Sequence, residues 1–412
     1  MNLSIDQDRL TAEIDHLARF SDAEAPAVTR VVFTPTDMKA RSWIKARCEE
    51  AGLTVREDPV GNTFARWNGI NAKATVVGTG SHIDAIPNAG KYDGVVGVLG
   101  GLEAIRALRA AGFRPKHPIE LLMFTSEEPT RFGIGCLGSR LLSGTLSAEA
   151  AAKLTDNDGA TLEDARRQAG LKGSLGDIKL PRGYYKAFVE LHIEQGPLLE
   201  REGVSLGVVE RIAAPASLRL TIEGAGGHAG AVLMPDRRDA LCAAAELILA
   251  LENSAKSTGA VDTVATVGIC DVFPGAVNSI PARVRLSVDA RDTNLARRDS
   301  MMHAFELACR AVEAGRHVTV YSELLNADAP AESAPEVLAA LRQACTKSGL
   351  AHLPMTSRAY HDSLFISRIA PVAMLFIPCR NGYSHRPDEY AAPEDIARGA
   401  LVLAETLASL AG

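Results

Sequence analysis

Along the first 200 residues, apolar positions at helical spacing alternate with short, nearly unbroken apolar runs. Residues 36–51 put Met38, Trp43, Ile44 and Cys48 on one helical face and run into Gly52, a residue type that commonly stops a helix. Residues 53–57 and 63–67 read as short strands around the turn-prone pair Gly61-Asn62. Residues 75–80 form an apolar strand, 95–111 a helix ending at Gly112, and 119–125 and 186–193 two further apolar strands. Strands separated by helices predict an α/β sheet with helices on both faces.

The rhythm changes in the middle of the chain. Residues 217–222, 261–270, 284–289 and 317–322 alternate as strands, while 236–251 and 295–314 read as amphipathic helices. The order β-α-β-β-α-β is that of a ferredoxin-like sandwich. After about residue 328 the earlier rhythm returns, with a helix over 334–348, a strand over 372–377 and a helix over 393–410. These patterns predict an α/β domain of residues 1–210 and 328–412, interrupted by an inserted ferredoxin-like α+β domain of residues 211–327.

Length and composition agree with two domains: 412 residues, 47% hydrophobic and 23% charged. With 44 basic against 50 acidic residues the formal charge is −6, and no basic block is present to neutralise a phosphate backbone, so nucleic acid is not an expected partner. The first ten residues do not read as a signal peptide. The longest apolar run, near 95–102, is interrupted by glycine and falls well short of the roughly 20 residues a membrane span needs. Seven scattered cysteines without a CxxC pair read as reduced thiols, and a cytoplasmic location is expected.

Chemistry gathers at the ends of the apolar runs. Ser81-His82-Ile83-Asp84, Thr125-Ser126-Glu127-Glu128, His192-Ile193-Glu194-Gln195-Gly196 and Tyr383-Ser384-His385-Arg386-Pro387 each follow a predicted strand, the place where open α/β sheets bind ligands. Asp93-Gly94 opens the helix beginning at Val95, where the dipole favours an acid and glycine permits close backbone approach. His82, Asp93, Glu128, His192 and His385 form a mixed nitrogen and oxygen ligand set suited to zinc, manganese or cobalt. Five ligands exceed the need of one four-coordinate zinc with an open position. Shared between two ions with Asp93 bridging, they supply three protein ligands to each and leave room for a water. Of the adjacent Glu127 and Glu128, one carboxylate can bind metal while its neighbour acts as general base. Asp84 is expected to accept the second imidazole N–H of His82 and fix its tautomer.

The ordered segments GSHID, YDGVVGV, TSEE, HIEQGP and SHRPDEY resemble the M20-type metallohydrolases, in particular their hydantoinase/carbamoylase branch. That branch includes N-carbamoyl-L-amino acid hydrolases, β-ureidopropionases, allantoate amidohydrolases and ureidoglycolate amidohydrolases, and the resemblance spans about residues 34–390. It implies that His82, Asp93 and His192 hold one ion, that Asp93, Glu128 and His385 hold the other, and that Glu127 is the base. It also implies that the inserted domain is a lid through which the chain forms a homodimer. His228, in a glycine-rich loop, would polarise the substrate carbonyl, while Asn278 and Arg291 would bind a carboxylate that suits the planar guanidinium fork. Gln195 is a candidate partner for a ureido amide.

Where carbamoylases and allantoate hydrolases carry a small Gly-Ala-Gly before a His-Asp pair, this chain has Ser357-Arg358-Ala359-Tyr360-His361-Asp362-Ser363. Tyr360 fills volume and adds a hydroxyl, which predicts a small polar substituent on the substrate, with His361 beside it. Together with FIPCRNGYSHRPDEY, this segment is most similar to the ureidoglycolate amidohydrolases. The resemblance therefore implies hydrolysis of (S)-ureidoglycolate, a small ureido acid, to glyoxylate, ammonia and carbon dioxide in purine nitrogen salvage. Manganese is the implied metal, with zinc or cobalt as alternatives. An N-carbamoyl-L-amino acid hydrolase, an allantoate amidohydrolase and an M20 dipeptidase are the competing activities.

Overall fold

The computed structural model describes residues 3–412, which divide into two compact units: one comprises the chain up to Glu210 together with Glu332–Gly412, the other Arg211–Ala331. The first is built on a mixed sheet whose centre is four parallel strands in the spatial order Val372–Ile377, Tyr185–Ile193, Val76–His82, Ile119–Phe124. Antiparallel strands flank them, Leu206–Ile212 on one side and Thr63–Trp67 with Thr54–Glu57 on the other.

Alternate residues of these strands enter separate cores, which explains their almost unbroken apolar sequence. Leu121, Met123, Val189 and Leu191 pack with the helices Gln7–Ala18, Val95–Ala110, Pro335–Lys347 and Pro393–Ala411. Leu122, Phe124, Tyr185 and Phe188 pack on the opposite face with Leu137–Ser143 and Leu162–Gln168. Helices therefore cover both faces, as the sequence pattern predicts.

In chain order the first parallel strand leads to a neighbour on one side, Ile119–Phe124, and the third, Tyr185–Ile193, lies on the other. The connections thus diverge between Val76–His82 and Tyr185–Ile193. A crevice opens at such a switch point beyond the carboxyl ends of the strands.

The second unit is a four-stranded antiparallel sheet in the order Val264–Phe273, Arg283–Asp292, Ala214–Glu223, Thr319–Ala327. Helices Ala240–Ser257 and Leu295–Arg316 bury one face through Leu218, Leu220, Ile222, Val284, Leu286, Val288 and Phe305. The order of elements is the ferredoxin-like one. The first helix starts later than residue 236 because Met234–Asp236 forms a separate 3-10 turn, and the Asp239 side chain caps the helix by accepting from the N–H groups of Leu241 and Cys242. The last strand begins at Thr319, since His317 occupies the left-handed region as the helix ends.

Sequence patterning passes over several elements, among them the helix Gln7–Ala18 and the strands Ala85–Ala89, Leu206–Ile212 and His352–Ser357. No helix among the described residues is long and apolar enough to cross a membrane.

Candidate metal centre

His82 ends the first parallel strand and His192 lies one residue before the end of the third, so they flank the switch-point crevice with ring centroids 6.1 Å apart. Asp93 enters from the start of the helix Val95–Ala110. Its Oδ1 lies 3.2 Å from His192 Nε2 and 3.8 Å from His82 Nε2, and its Oδ2 lies 3.2 Å from His385 Nε2. His385 Nε2 is also 3.2 Å from Glu128 Oε1. Two ligand trios result, His82–Asp93–His192 and Asp93–Glu128–His385, joined through Asp93.

Backbone conformations around the centre are unusual. Ser126, Cys136, Gln195 and His385 all have positive φ although none is glycine. Such conformations cost energy and persist where surrounding contacts over-determine them. Gly94, at φ +67°, has to be glycine for a further reason: a Cβ there would lie 2.5 Å from the His82 ring.

The hydrogen bonds set the tautomers. His82 Nδ1 lies 3.0 Å from the main-chain oxygen of Asp84, and His192 Nδ1 lies 2.9 Å from that of Ile193. A carbonyl only accepts, so both Nδ1 atoms carry hydrogen, and in a neutral ring Nε2 presents a lone pair to the crevice. The expected pairing of His82 with the Asp84 carboxylate is not formed, because that oxygen is 3.8 Å away and the adjacent carbonyl takes the proton instead. The Asp84 carboxylate accepts from the N–H groups of Glu127 (3.3 Å) and Glu128 (3.0 Å), which anchors the acidic turn.

Lone pairs of imidazole facing carboxylate oxygens repel one another unless positive charge lies between them. The strength of that demand shows in the proton affinities of the ligands. Hydrogen bonds that the Asp93 and Glu128 carboxylates accept from its ring push His385 up to about 11. Burial lowers His192, yet the hydrogen bond and charge of Asp93 outweigh it and lift the group to about 9. Burial raises Asp93, but His192 and His385 hold it well below the usual carboxylate range. Divalent cations meet the same demand, and the donor set, tautomers and shared carboxylate all fit them.

Glu127 is buried, with Oε2 3.8 Å from His82 Nε2, and Cys136 Sγ donates to Oε1 at 3.3 Å. Burial and the negative charges of Glu128 and Asp362 raise its carboxyl well above the usual range. A carboxyl that holds a proton readily beside a ligand cluster is suited to accept and return one.

Gln195 Nε2 donates to Asp93 Oδ2 (2.7 Å) and Ser384 Oγ (3.2 Å), while its Oε1 is buried without a protein partner. His361 is buried edge-on against His192, with centroids 4.6 Å apart and its Nε2 2.8 Å from Ser357 Oγ. Tyr360 stacks on Phe365 at 6.0 Å, and its hydroxyl accepts from Arg140 Nη2 at 3.3 Å.

In the second unit, Gly227–His228 pairs with Ser279–Ile280, so the His228 and Asn278 loops adjoin, and the Asn278 carbonyl accepts from Ala229 N–H. His228 is exposed, and its Nδ1 accepts from Gly230 N–H at 3.1 Å, which leaves Nε2–H as the donor of the neutral ring. Arg291 faces Asp289 through Nε (2.7 Å) and Nη2 (3.2 Å).

Four residues at the first centre carry no assigned role in the sequence reading: Cys136, Glu190, Ser384 and Glu389. Glu190 is fully buried and accepts from Ser81 Oγ and from both the N–H and Oγ of Ser363. Its place inside an apolar strand was the available signal, since a carboxylate there requires partners.

Residues 78–409 match the model for peptidase family M20/M25/M40. The chain belongs to this family. Among its relatives, the ureidoglycolate hydrolase of Arabidopsis thaliana is 51% identical over 416 residues, covering 99% of this chain and 87% of that protein. The N-carbamoyl-L-amino acid amidohydrolase of Geobacillus stearothermophilus is 39% identical over 408 residues, 99% of each chain. The crystal structure of AtUAH in complex with glyoxylate is similar with a TM-score of 0.91 and 51% identity, covering 99% of this chain and 98% of that one. Like these family members, this chain is a hydrolase.

Proposed function

We propose that this M20/M25/M40 hydrolase uses water to cleave the ureido group of (S)-ureidoglycolate, giving ammonia, carbon dioxide and (S)-hydroxyglycine, whose Cα–N bond then breaks to release a second ammonia and glyoxylate. The observation that carries the reading is the 51% identity to a ureidoglycolate hydrolase across almost the entire chain, against 39% to a carbamoylase. The site adds chemical support, with a raised carboxyl at Glu127 beside two joined ligand trios.

In this reading His82, Asp93 and His192 hold one divalent ion and Asp93, Glu128 and His385 the other, with manganese the expected metal and zinc or cobalt the alternatives. Bound there, such ions would polarise the ureido carbonyl and acidify water. Glu127 takes the proton of the attacking water and returns it to the departing nitrogen. Asp84 keeps Glu127 in place through the main-chain N–H it binds. Gln195 Oε1, lacking a protein partner, accepts a ureido N–H. His228 donates from Nε2 to the carbonyl oxygen, and Arg291 and Asn278 take the carboxylate, Arg291 exchanging Asp289 for it. Tyr360, anchored by Arg140, limits the substituent to a small polar one, and His361 supports its segment against His192. Residues 211–327 serve as the lid and homodimer contact, and the enzyme is cytoplasmic.

The test is a comparison of kcat/KM for (S)-ureidoglycolate, allantoate, N-carbamoylglycine and N-carbamoyl-L-methionine with the manganese-loaded enzyme. Ureidoglycolate is expected to lead. Preference for N-carbamoyl-L-methionine would replace the reading with a carbamoylase, and preference for allantoate with an allantoate hydrolase.

A further inference from the structure

Glu389 is a buried carboxylate that has no part in the scheme above, and its side chain is turned toward the residue that joins the two trios. It is 5% exposed. Its Oε1 accepts the main-chain N–H of Tyr92 (2.8 Å) and of Asp93 (3.1 Å), and its Oε2 lies 3.0 Å from Ser384 Oγ. That hydroxyl is in turn 2.7 Å from Asp93 Oδ2. One side chain thus fixes the backbone of Asp93 and shares with Asp93 Oδ2 the single hydrogen of the Ser384 hydroxyl. The chain reserves room for it: a Cβ on Gly90 would lie 2.3 Å from Glu389 Cβ.

The arrangement matters because the two Asp93 oxygens face different partners. Oδ1 faces His82 and His192, and Oδ2 faces His385. Rotation of the carboxylate about its last bond would turn both oxygens away from their partners at once. Fixing the backbone alone leaves that rotation open, and the Ser384 hydroxyl and Gln195 Nε2, each 2.7 Å from Oδ2, close it.

We propose that Glu389 is a positioning residue for Asp93, holding the Tyr92 and Asp93 N–H groups and the Ser384 hydroxyl so that the bridging carboxylate serves both trios. The inference rests on the two-ion reading given above. A cap for the following helix would explain the two N–H contacts, but it would not require the link through Ser384 to Asp93 Oδ2.

The experiment is manganese binding to the full chain, in competition with a chromophoric chelator, with kcat and KM for (S)-ureidoglycolate measured alongside. Wild type is expected to bind two equivalents. Glu389→Ala is expected to bind at least one of them about 10- to 100-fold more weakly, as loss of a partner behind a ligand typically does, and to lose kcat with KM little changed. Glu389→Gln keeps an oxygen for the two N–H groups and is expected to recover to within about threefold of wild type on that scale. Should Glu389→Ala fail to fold, Ser384→Ala carries the test, with a smaller loss of affinity and an unchanged Tm. Wild-type affinity in Glu389→Ala or in Ser384→Ala, or a Gln variant as weak as Ala, overturns the inference while leaving the two-ion reading intact. A wild-type chain that binds no manganese overturns both.

Discussion

In the unit that carries His82 and Asp93, polar side chains are held from behind: imidazoles by carbonyls, Asp84 by two N–H groups, Gln195 by Asp93 and Ser384. In Arg211–Ala331, by contrast, His228 stands on an exposed loop and Arg291 faces a carboxylate of its own strand. The sheets differ in the same sense. One is parallel at its centre, buried on both faces and ends in a crevice; the other is antiparallel and covered on one face only. Rigid placement suits groups that must hold a fixed coordination geometry. Looser placement suits groups that engage a substrate only when it arrives, and four experiments can break or sharpen that contrast.

The largest effect is expected from chelation. Removal of divalent ions should abolish turnover while the near-UV circular dichroism of the fold persists, because the apolar cores do not involve the ligands, and manganese should restore activity. Residual full activity in metal-free enzyme would remove the basis for calling this centre the rigid half. Next, Glu127→Gln should lower kcat by about 10²- to 10⁴-fold with both manganese equivalents retained, as measured by elemental analysis. A kcat within a few-fold of wild type would mean that the proton moves through another group.

Arg291→Met should raise KM by roughly 10- to 100-fold, the range for losing a charge-assisted hydrogen bond, with kcat and metal content little altered. Loss of metal in that variant would contradict the division of labour between the units. The smallest effect is expected at Ile269, 51% exposed on the strand Val264–Phe273. Ile269→Ser should change unfolding free energy by no more than about 0.5 kcal/mol. A larger loss in denaturant melts, or a shift to a smaller species in sedimentation, would mark this strand as covered in solution.

Much of this architecture can be read from the sequence. The parallel strands announce themselves as apolar runs because both their faces are buried, and their polar ends mark the crevice because ligands collect there. His82, Glu128, His192 and His385 are recognisable for that reason, and Asp93 by its place at the start of the helix Val95–Ala110. The strand His352–Ser357 escapes because it is only partly buried and so lacks an unbroken apolar run. The Asp84 arrangement escapes for a different reason: residue order places a carboxylate near His82, but the competition between its side chain and its own carbonyl is settled by backbone conformation. Glu389 is hidden in the same way. Two of its three partners, Tyr92 and Asp93, offer only main-chain N–H groups, which leave no trace in residue type.

The strand Val372–Ile377 lies directly beside Tyr185–Ile193, although the whole of Arg211–Ala331 separates them along the chain. The order of synthesis therefore matters. A ribosome that has released His82, Asp93 and His192 has made one trio in full, but His385 is not yet available to complete the other. The nascent polypeptide passes through a stage with a half-built centre, whose second trio of side chains is complete only near the end of translation.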